Sequence, residues 1–217
     1  MNHQKVITQI CVKNFLFGPR ESKAFSRCVA PLKDLESVSF IRTGIQSTIL
    51  LSLALPPSVR YLSIHLNSSD SQLWRVAIEK GVPHVCLQSN SIRSEQISDL
   101  ASALSGNETL LTLNLNNNPI GDSGAILLAH SLISNKRLGS LSLANCQIGD
   151  EAASEFWRVL SKRWAVFHEI LSTESYFFDL ELWLTNFCNR PQRPFWSCFR
   201  SPLWSASKFE KTERKEV

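Results

Sequence analysis

The sequence predicts an α/β solenoid in which a curved parallel β-sheet lies on the inside and helices lie on the outside. Three observations support this fold class: one apolar template recurs along the chain, each copy contains a short run of alternating apolar residues, and the segments between copies show apolar spacings of three and four. Alternation is typical of a half-buried strand, and the longer spacings are typical of an amphipathic helix. Because a helix is wider than a strand (about 10 Å against about 4.8 Å), the sheet is expected to curve.

The clearest copy of the template reads L-x-x-L-x-L-x-x-N-x-I and runs from Leu110 to Ile120. The pattern returns 28 residues later, and the earlier copies start 28, 23, 24 and 28 residues apart, which gives six copies. The last three copies follow the template closely, whereas the first three are degenerate. In chain order the template residues are Ile7, Ile10, Val12, Phe15, Phe17; Leu35, Val38, Phe40, Thr43, Ile45; Val59, Leu62, Ile64, Asn67; Val82, Val85, Leu87, Asn90, Ile92; Leu110, Leu113, Leu115, Asn118, Ile120; and Leu138, Leu141, Leu143, Cys146, Ile148.

The ninth template position is predicted to be a structural turn position. An asparagine side chain there can hydrogen-bond backbone groups that the turn leaves unpaired. The predicted turn residues are Asn67, Asn90, Asn118 and Cys146, the last being a small and readily buried substitute. Thr43 can partly do the same, and Phe15 cannot, so the first turn is expected to be the least regular.

Turn and capping residues predict where the later helices begin. Gly121 and Gly149 are suited to tight turns. Asp122 and Asp150 follow them, where a carboxylate is expected to cap free N–H groups and to interact favourably with the helix dipole. Ser94 is expected to start the preceding helix in the same way.

The segments Gly121–Ala125 and Gly149–Ala153 resemble the I-G-D-x-G-A signature of leucine-rich repeats of the ribonuclease-inhibitor type. The second segment departs from the signature, because Ala152 stands where glycine is usual. The resemblance implies alternating strand and helix units. The runs Asn107–Asp122 and Leu141–Asp150 are similar to a narrower group of such repeat proteins, over roughly residues 6–172. That closer resemblance implies a non-enzymatic role and an association with ciliated cells. Repeats of this subclass also occur in activators of a small GTPase, so regulation of a small GTPase is the alternative function.

The leading hypothesis is a non-enzymatic scaffold that binds a protein partner through the concave face of the sheet, as solenoids do. The predicted partner-binding residues are Tyr61, Ser63, His65, His84, Gln88, Thr112, Asn114, Asn116 and Ser142. We predict no catalytic residue, no metal and no cofactor, and the identity of the partner stays open.

Histidines and cysteines on the predicted concave face suggest two other kinds of site. His65 and His84 lie on neighbouring strands and could form a metal or pH-sensitive pair, although the sequence offers no third ligand. Cys11 and Cys86 occupy the same template place three repeats apart, and neither has a base or orienting group that the sequence indicates. Surface histidines and unreactive thiols are therefore the preferred interpretation, and an enzyme that uses Cys86 is the second rival.

Composition divides the chain into a neutral body and a basic end. Of 217 residues, 43 % are hydrophobic and 19 % are charged, and the net charge of +4 equals that of residues 190–217, where seven basic and three acidic residues lie. We predict a repeat domain at 6–165, a C-terminal helical cap at 166–189, and a basic, disordered tail at 190–217. The neutral body argues against a nucleic-acid partner.

The two ends of the chain leave alternatives open. The tail has two other interpretations, an aromatic membrane-surface anchor and an aberrant or alternative end without an evolved role, and we do not favour membrane contact. The chain enters the first repeat by residue 6 without a polar cap, so either the first copy is the cap or the chain is a fragment. No signal peptide is apparent after Met1, which favours a cytoplasmic location.

Overall fold

The computed structural model describes residues 6–67 and 70–159, in which strands and helices alternate. The elements are β1 (Gln9–Lys13), α1 (Pro19–Val29), β2 (Ser37–Ile41), α2 (Ser47–Ser52), β3 (Tyr61–His65), α3 (Trp74–Glu79), β4 (His84–Cys86), α4 (Ser94–Ser105), β5 (Thr112–Asn114), α5 (Gly121–Ser134) and β6 (Ser140–Ser142). Residues 150–159 are helical. The predicted α/β solenoid is confirmed, while the predicted cap and tail lie outside the described residues.

All six strands form one parallel sheet in the order of the chain, from β1 to β6. Residues at the fourth template position pair with one another across adjacent strands. Val38 pairs with Leu62, Val85 pairs with Leu113, and Leu113 pairs with Leu141. The spacing of the repeat therefore predicts the strand register correctly. A slip of one residue would have moved every apolar strand residue to the opposite face.

A single apolar core runs between the sheet and the helices, from Phe17 in the first repeat to Val159. Apolar template residues form most of it, and the helices contribute residues such as Leu100 and Leu128, both fully buried. In the first two repeats three aromatic rings fill the space instead: Phe17 lies 5.5 Å from Phe25 and 5.3 Å from Phe40, in edge-to-face contact.

The helix starts differ from the expectation of local capping. Asp122 lies inside α5, and its carboxylate accepts the backbone N–H of Gly149 in the next repeat instead of capping its own helix. Helix α4 does begin at Ser94, but the Ser94 side chain does not cap it; instead, the Gln96 side chain accepts the N–H of Arg93, the N-cap residue, at 2.7 Å. At Gly121 the turn has a left-handed backbone, with φ of +68°, whereas the φ of Gly149 is not positive. The aspartate of the signature thus joins two repeats.

The helices of the described residues are too short or too polar to span a bilayer.

Candidate binding face of the sheet

The candidate site is the face of the sheet that the helices do not cover, which we call the open face. Alternate strand residues point to it, and they are half-buried or exposed, while their neighbours are buried in β2 to β6 and half-buried in β1. Aligned strands place these residues in two rows. The first row consists of Gln9, Ser37, Tyr61, His84, Thr112 and Ser140, and the second consists of Cys11, Ser39, Ser63, Cys86, Asn114 and Ser142.

A groove of about 430 Å³ crosses the open face from β1 to β5. Five of the nine predicted partner-binding residues line it: Tyr61, Ser63, His84, Thr112 and Asn114. The other four, His65, Gln88, Asn116 and Ser142, are half-buried near it but are not part of its lining. Gln9, Ser37 and Ser39 also line the groove and were not predicted, although their place in the template could have identified them. Cys86, which was predicted to lie on the concave face but not to bind the partner, lines the groove as well.

An aromatic pair lies in the middle of this groove. The rings of Tyr61 and His84 are stacked, with centroids 4.5 Å apart and planes 14° apart. His84 Nδ1 lies 3.0 Å from the Thr112 hydroxyl on the next strand, which fixes the orientation of the imidazole. Burial lowers the pKa of His84, and the charge of Arg60 lowers it further. The imidazole is therefore mainly neutral at pH 7. The stacked rings present one flat surface, and Tyr61 is 49 % exposed.

Beside the stack, Cys86 has a histidine neighbour that the sequence did not indicate. His65 Nε2 lies 3.8 Å from the Cys86 sulfur and 2.5 Å from the Ser63 hydroxyl. The expectation that no base lies near Cys86 was therefore wrong: β3 and β4 are adjacent, and a side chain two residues further along β3 reaches diagonally across.

The electrostatics of this cluster do not favour a nucleophile. Burial raises the pKa of the Cys86 thiol, and burial lowers the pKa of His65, so both groups are neutral at pH 7. Ser63 and Cys86 also approach the same imidazole nitrogen, whereas a catalytic arrangement has the nucleophile on one nitrogen and an orienting group on the other. Within the described ranges, no three histidine, cysteine or acidic side chains are grouped as metal ligands, so the His65–His84 pair gains no third ligand there.

The predicted turn residues lie at one edge of the open face and bond mainly to the neighbouring repeat. The Asn118 side-chain oxygen accepts the N–H of Asn90 at 2.9 Å, and the Asn90 side chain in turn accepts the N–H of Asn67 at 2.8 Å. In the same way, the Asn67 side-chain oxygen accepts the backbone N–H of Thr43, at 2.9 Å. Cys146 supplies only a donor, because its thiol bonds to the Leu115 carbonyl at 3.2 Å. We call this series of residues, from Thr43 to Cys146, the asparagine ladder, and it holds the edge of the groove in a fixed shape.

A larger cavity, of about 600 Å³, lies away from the open face between the loops that follow α4 and α5. Its buried polar residue, Asn135, bonds to the Leu104 and Asn107 carbonyls and to the backbone N–H groups of Arg137 and Leu138. Asn135 thus joins two loops and serves the fold.

Comparison with known proteins finds the repeat in the two most regular copies. Residues 106–129 and 134–156 match the family model described as Leucine Rich repeat. No curated protein matches the chain. Among solved structures, the chain is similar to the tropomodulin C-terminal domain of Caenorhabditis elegans, at 12 % identity and a TM-score of 0.38, over 79 % of this chain and 92 % of that one. The two segments that match the family model contain the strands β5 and β6 and two residues of the asparagine ladder, Asn118 and Cys146.

Proposed function

We propose that this leucine-rich-repeat solenoid is a protein-interaction scaffold whose partner binds in the groove of the open face. The observation that carries the proposal is the stacked Tyr61–His84 pair in the middle of the groove. Leucine-rich repeats generally bind proteins, and repeat solenoids use the inner surface of the sheet for this purpose.

The chemistry of the groove favours a protein over a nucleic acid. Its lining contains no lysine, arginine, aspartate or glutamate within the described residues. A nucleic-acid site needs positive charge to neutralise phosphates. The hydroxyl and amide groups of this groove can instead hydrogen-bond a polypeptide backbone, and its aromatic rings can pack against apolar side chains. Tyrosine, tryptophan and arginine are the residue types enriched at the energetic centres of such interfaces.

The chemistry of the open face does not support catalysis by Cys86. Cys86 is the strongest nucleophile candidate of the open face, and its neutral thiol beside a neutral His65 lacks an activated state. A protein-binding role needs no such activation. It uses the same residues as shape and hydrogen-bonding groups.

We also propose two finer points. The run Asn107–Asp122 resembles leucine-rich repeat-containing protein 71, which suggests an association with cilia, and we propose a cytoplasmic location. Regulation of a small GTPase is the alternative, and it would require an arginine or asparagine clamp on the nucleotide site. We propose Arg42, directly after β2, and Arg60, directly before β3, as candidates for that role.

The test compares partner capture by matched variants of the full chain. We expect Tyr61→Ala to raise the dissociation constant of the main partner at least ten-fold. This corresponds to a loss of about 1.4 kcal/mol or more of binding free energy at an interface centre. Ile133→Ala is the matched control, because Ile133 is equally exposed but lies on the outer helix α5. Equal capture by both variants, or loss only with Ile133→Ala, would contradict the proposal. A GTPase among partners that depend on Arg60 or Arg42 would favour the alternative.

A further inference from the structure

The N-terminal edge of the sheet exposes template positions that every other repeat buries. Ile7, at the first template position, is 50 % exposed, while its equivalent Leu35 in the second repeat is 0 % exposed. Phe15, at the ninth position, is 52 % exposed, while its equivalent Thr43 is 0 % exposed. The adjacent Val6 and Leu16 are exposed as well. The first repeat thus has the surface of a solenoid interior without a neighbour on one side.

The backbone of β1 is also open on this side. Thr8 and Asn14 bond towards β2, since the Thr8 carbonyl accepts from Ser37 and the Asn14 N–H donates to Ile41. Peptide groups alternate between the two edges of a strand, so those of Gln9, Cys11 and Lys13 point outwards. Among the described residues no strand pairs with this edge. Exposed edges of this kind are templates for pairing with another chain.

From these two observations we infer that β1 pairs with β1 of a second copy of this chain, antiparallel and about a two-fold axis at Cys11. In that register Gln9 faces Lys13 of the other copy in both directions, and Cys11 faces Cys11. Each facing pair has its N–H and carbonyl groups directed at the partner strand, as hydrogen-bonded pairs of an antiparallel ladder require. The same patch then serves both copies, which is the form of a two-fold interface.

The distribution of apolar residues favours this occupant over an unrelated protein. Val6 and Ile7 precede β1, and Phe15 and Leu16 follow it. An antiparallel pairing places the start of one strand beside the end of the other, so each apolar pair covers the opposite apolar pair. Lys13 meets an uncharged Gln9, and no like charges face each other. A two-fold axis perpendicular to the sheet keeps both open faces on the same side, so that they form one continuous surface.

The register predicts opposite effects of two substitutions at one exposed position. Gln9→Glu places a carboxylate opposite Lys13 of the other copy, twice per dimer, and should tighten the dimer by about two- to thirty-fold, whereas Gln9→Lys should weaken it by a similar factor. Gln9 is exposed, so neither change should affect folding. The measurement is sedimentation equilibrium of the isolated full chain over a range of concentrations. Ser140→Glu and Ser140→Lys are the controls, because Ser140 lies in the same row at the far end of the sheet.

Cross-linking of the natural thiols tests the axis itself. Facing Cα atoms in a hydrogen-bonded antiparallel pair are about 5.5 Å apart, so a short bis-maleimide should join Cys11 to Cys11, as identified by mass spectrometry of the peptides. Cys28 is also exposed but lies on α1, and serves as the internal control. A chain that is monomeric at all concentrations would overturn the inference. So would a dimer with equal response to both charges at Gln9, or one that links only through Cys28.

Discussion

Asn118 offers the sharpest test of how the repeats are joined. Its side chain is fully buried and accepts two backbone N–H groups, from Asn90 at 2.9 Å and from Ile92 at 3.1 Å. It also donates to the carbonyls of Leu87 and Leu115. The substitution Asn118→Ala removes all of these bonds and leaves buried polar groups in the adjacent repeat without their partner.

The magnitude follows from the number of donors that lose their acceptor. Each buried group left unsatisfied costs about 1–3 kcal/mol, so two N–H groups give about 2–6 kcal/mol of unfolding free energy. Asn118→Cys should fall between the alanine variant and the natural chain, because Cys146 shows that a thiol at this position still donates to a carbonyl, while a thiol is a weak acceptor.

The assay is equilibrium urea unfolding followed by far-ultraviolet circular dichroism. Gln88→Ala is the matched control, since Gln88 is half-buried at the same edge of the sheet, and its loss should cost no more than about 0.5 kcal/mol. If Asn118→Ala cost no more than Gln88→Ala, the asparagine ladder would contribute nothing to stability and the reasoning would be refuted.

Three further predictions concern the core, the pH dependence of stability and the groove. Leu113→Ala should cost about 2–5 kcal/mol in urea unfolding because Leu113 is buried in the core, whereas Leu127→Ala, at an exposed site, should cost less than about 1 kcal/mol; equal losses would show that the core assignment is wrong. Burial alone would raise the pKa of Asp70, but hydrogen bonds from backbone N–H groups outweigh it and lower the pKa, so Asp70 stabilises the fold above its unfolded pKa of about 3.9 and that stability is lost as the pH falls below it. Asp70→Asn should flatten acid unfolding in this range, and an unchanged acid transition would count against the bond. Arg60→Gln should raise the pKa of His84 towards its ordinary value in an NMR titration, because the arginine charge disfavours the imidazolium; a constant pKa would mean that Arg60 does not act on the groove.

Much of the fold could be predicted because the repeat constrains it strongly. Once Leu113 and Leu141 are placed at the same template position, their pairing and the burial of both follow from stacking of identical units. The rows of the open face follow as well, since alternate residues of each strand must point away from the core.

Contacts between repeats could not be predicted in the same way. The template indicates a polar turn at Asn90. It does not indicate that the Asn90 side chain accepts a hydrogen bond from the N–H of Asn67, 23 residues earlier. Asp122 shows the same limit, because helix capping within its own repeat and bonding to Gly149 in the next are both compatible with the sequence. These choices depend on the distance between adjacent repeats.

The sequence predicted which face of the sheet holds the candidate site, but not which of its side chains contact one another. Tyr61 and His84 were both assigned to the concave face, yet their stacking depends on side-chain rotation, which the spacing of residues does not specify. The approach of His65 to Cys86 is diagonal across two strands, so it does not follow from the rows alone.

The central claim is that the partner lies on the open face, and thiol labelling of the complex tests it most directly. Cys86 lines the groove, whereas Cys28 is exposed on α1. We predict that partner binding slows labelling of Cys86 by maleimide, measured by mass spectrometry of the labelled peptides, and leaves the rate at Cys28 unchanged. Protection of Cys28 with an unchanged rate at Cys86 would place the partner on the helices and contradict the account.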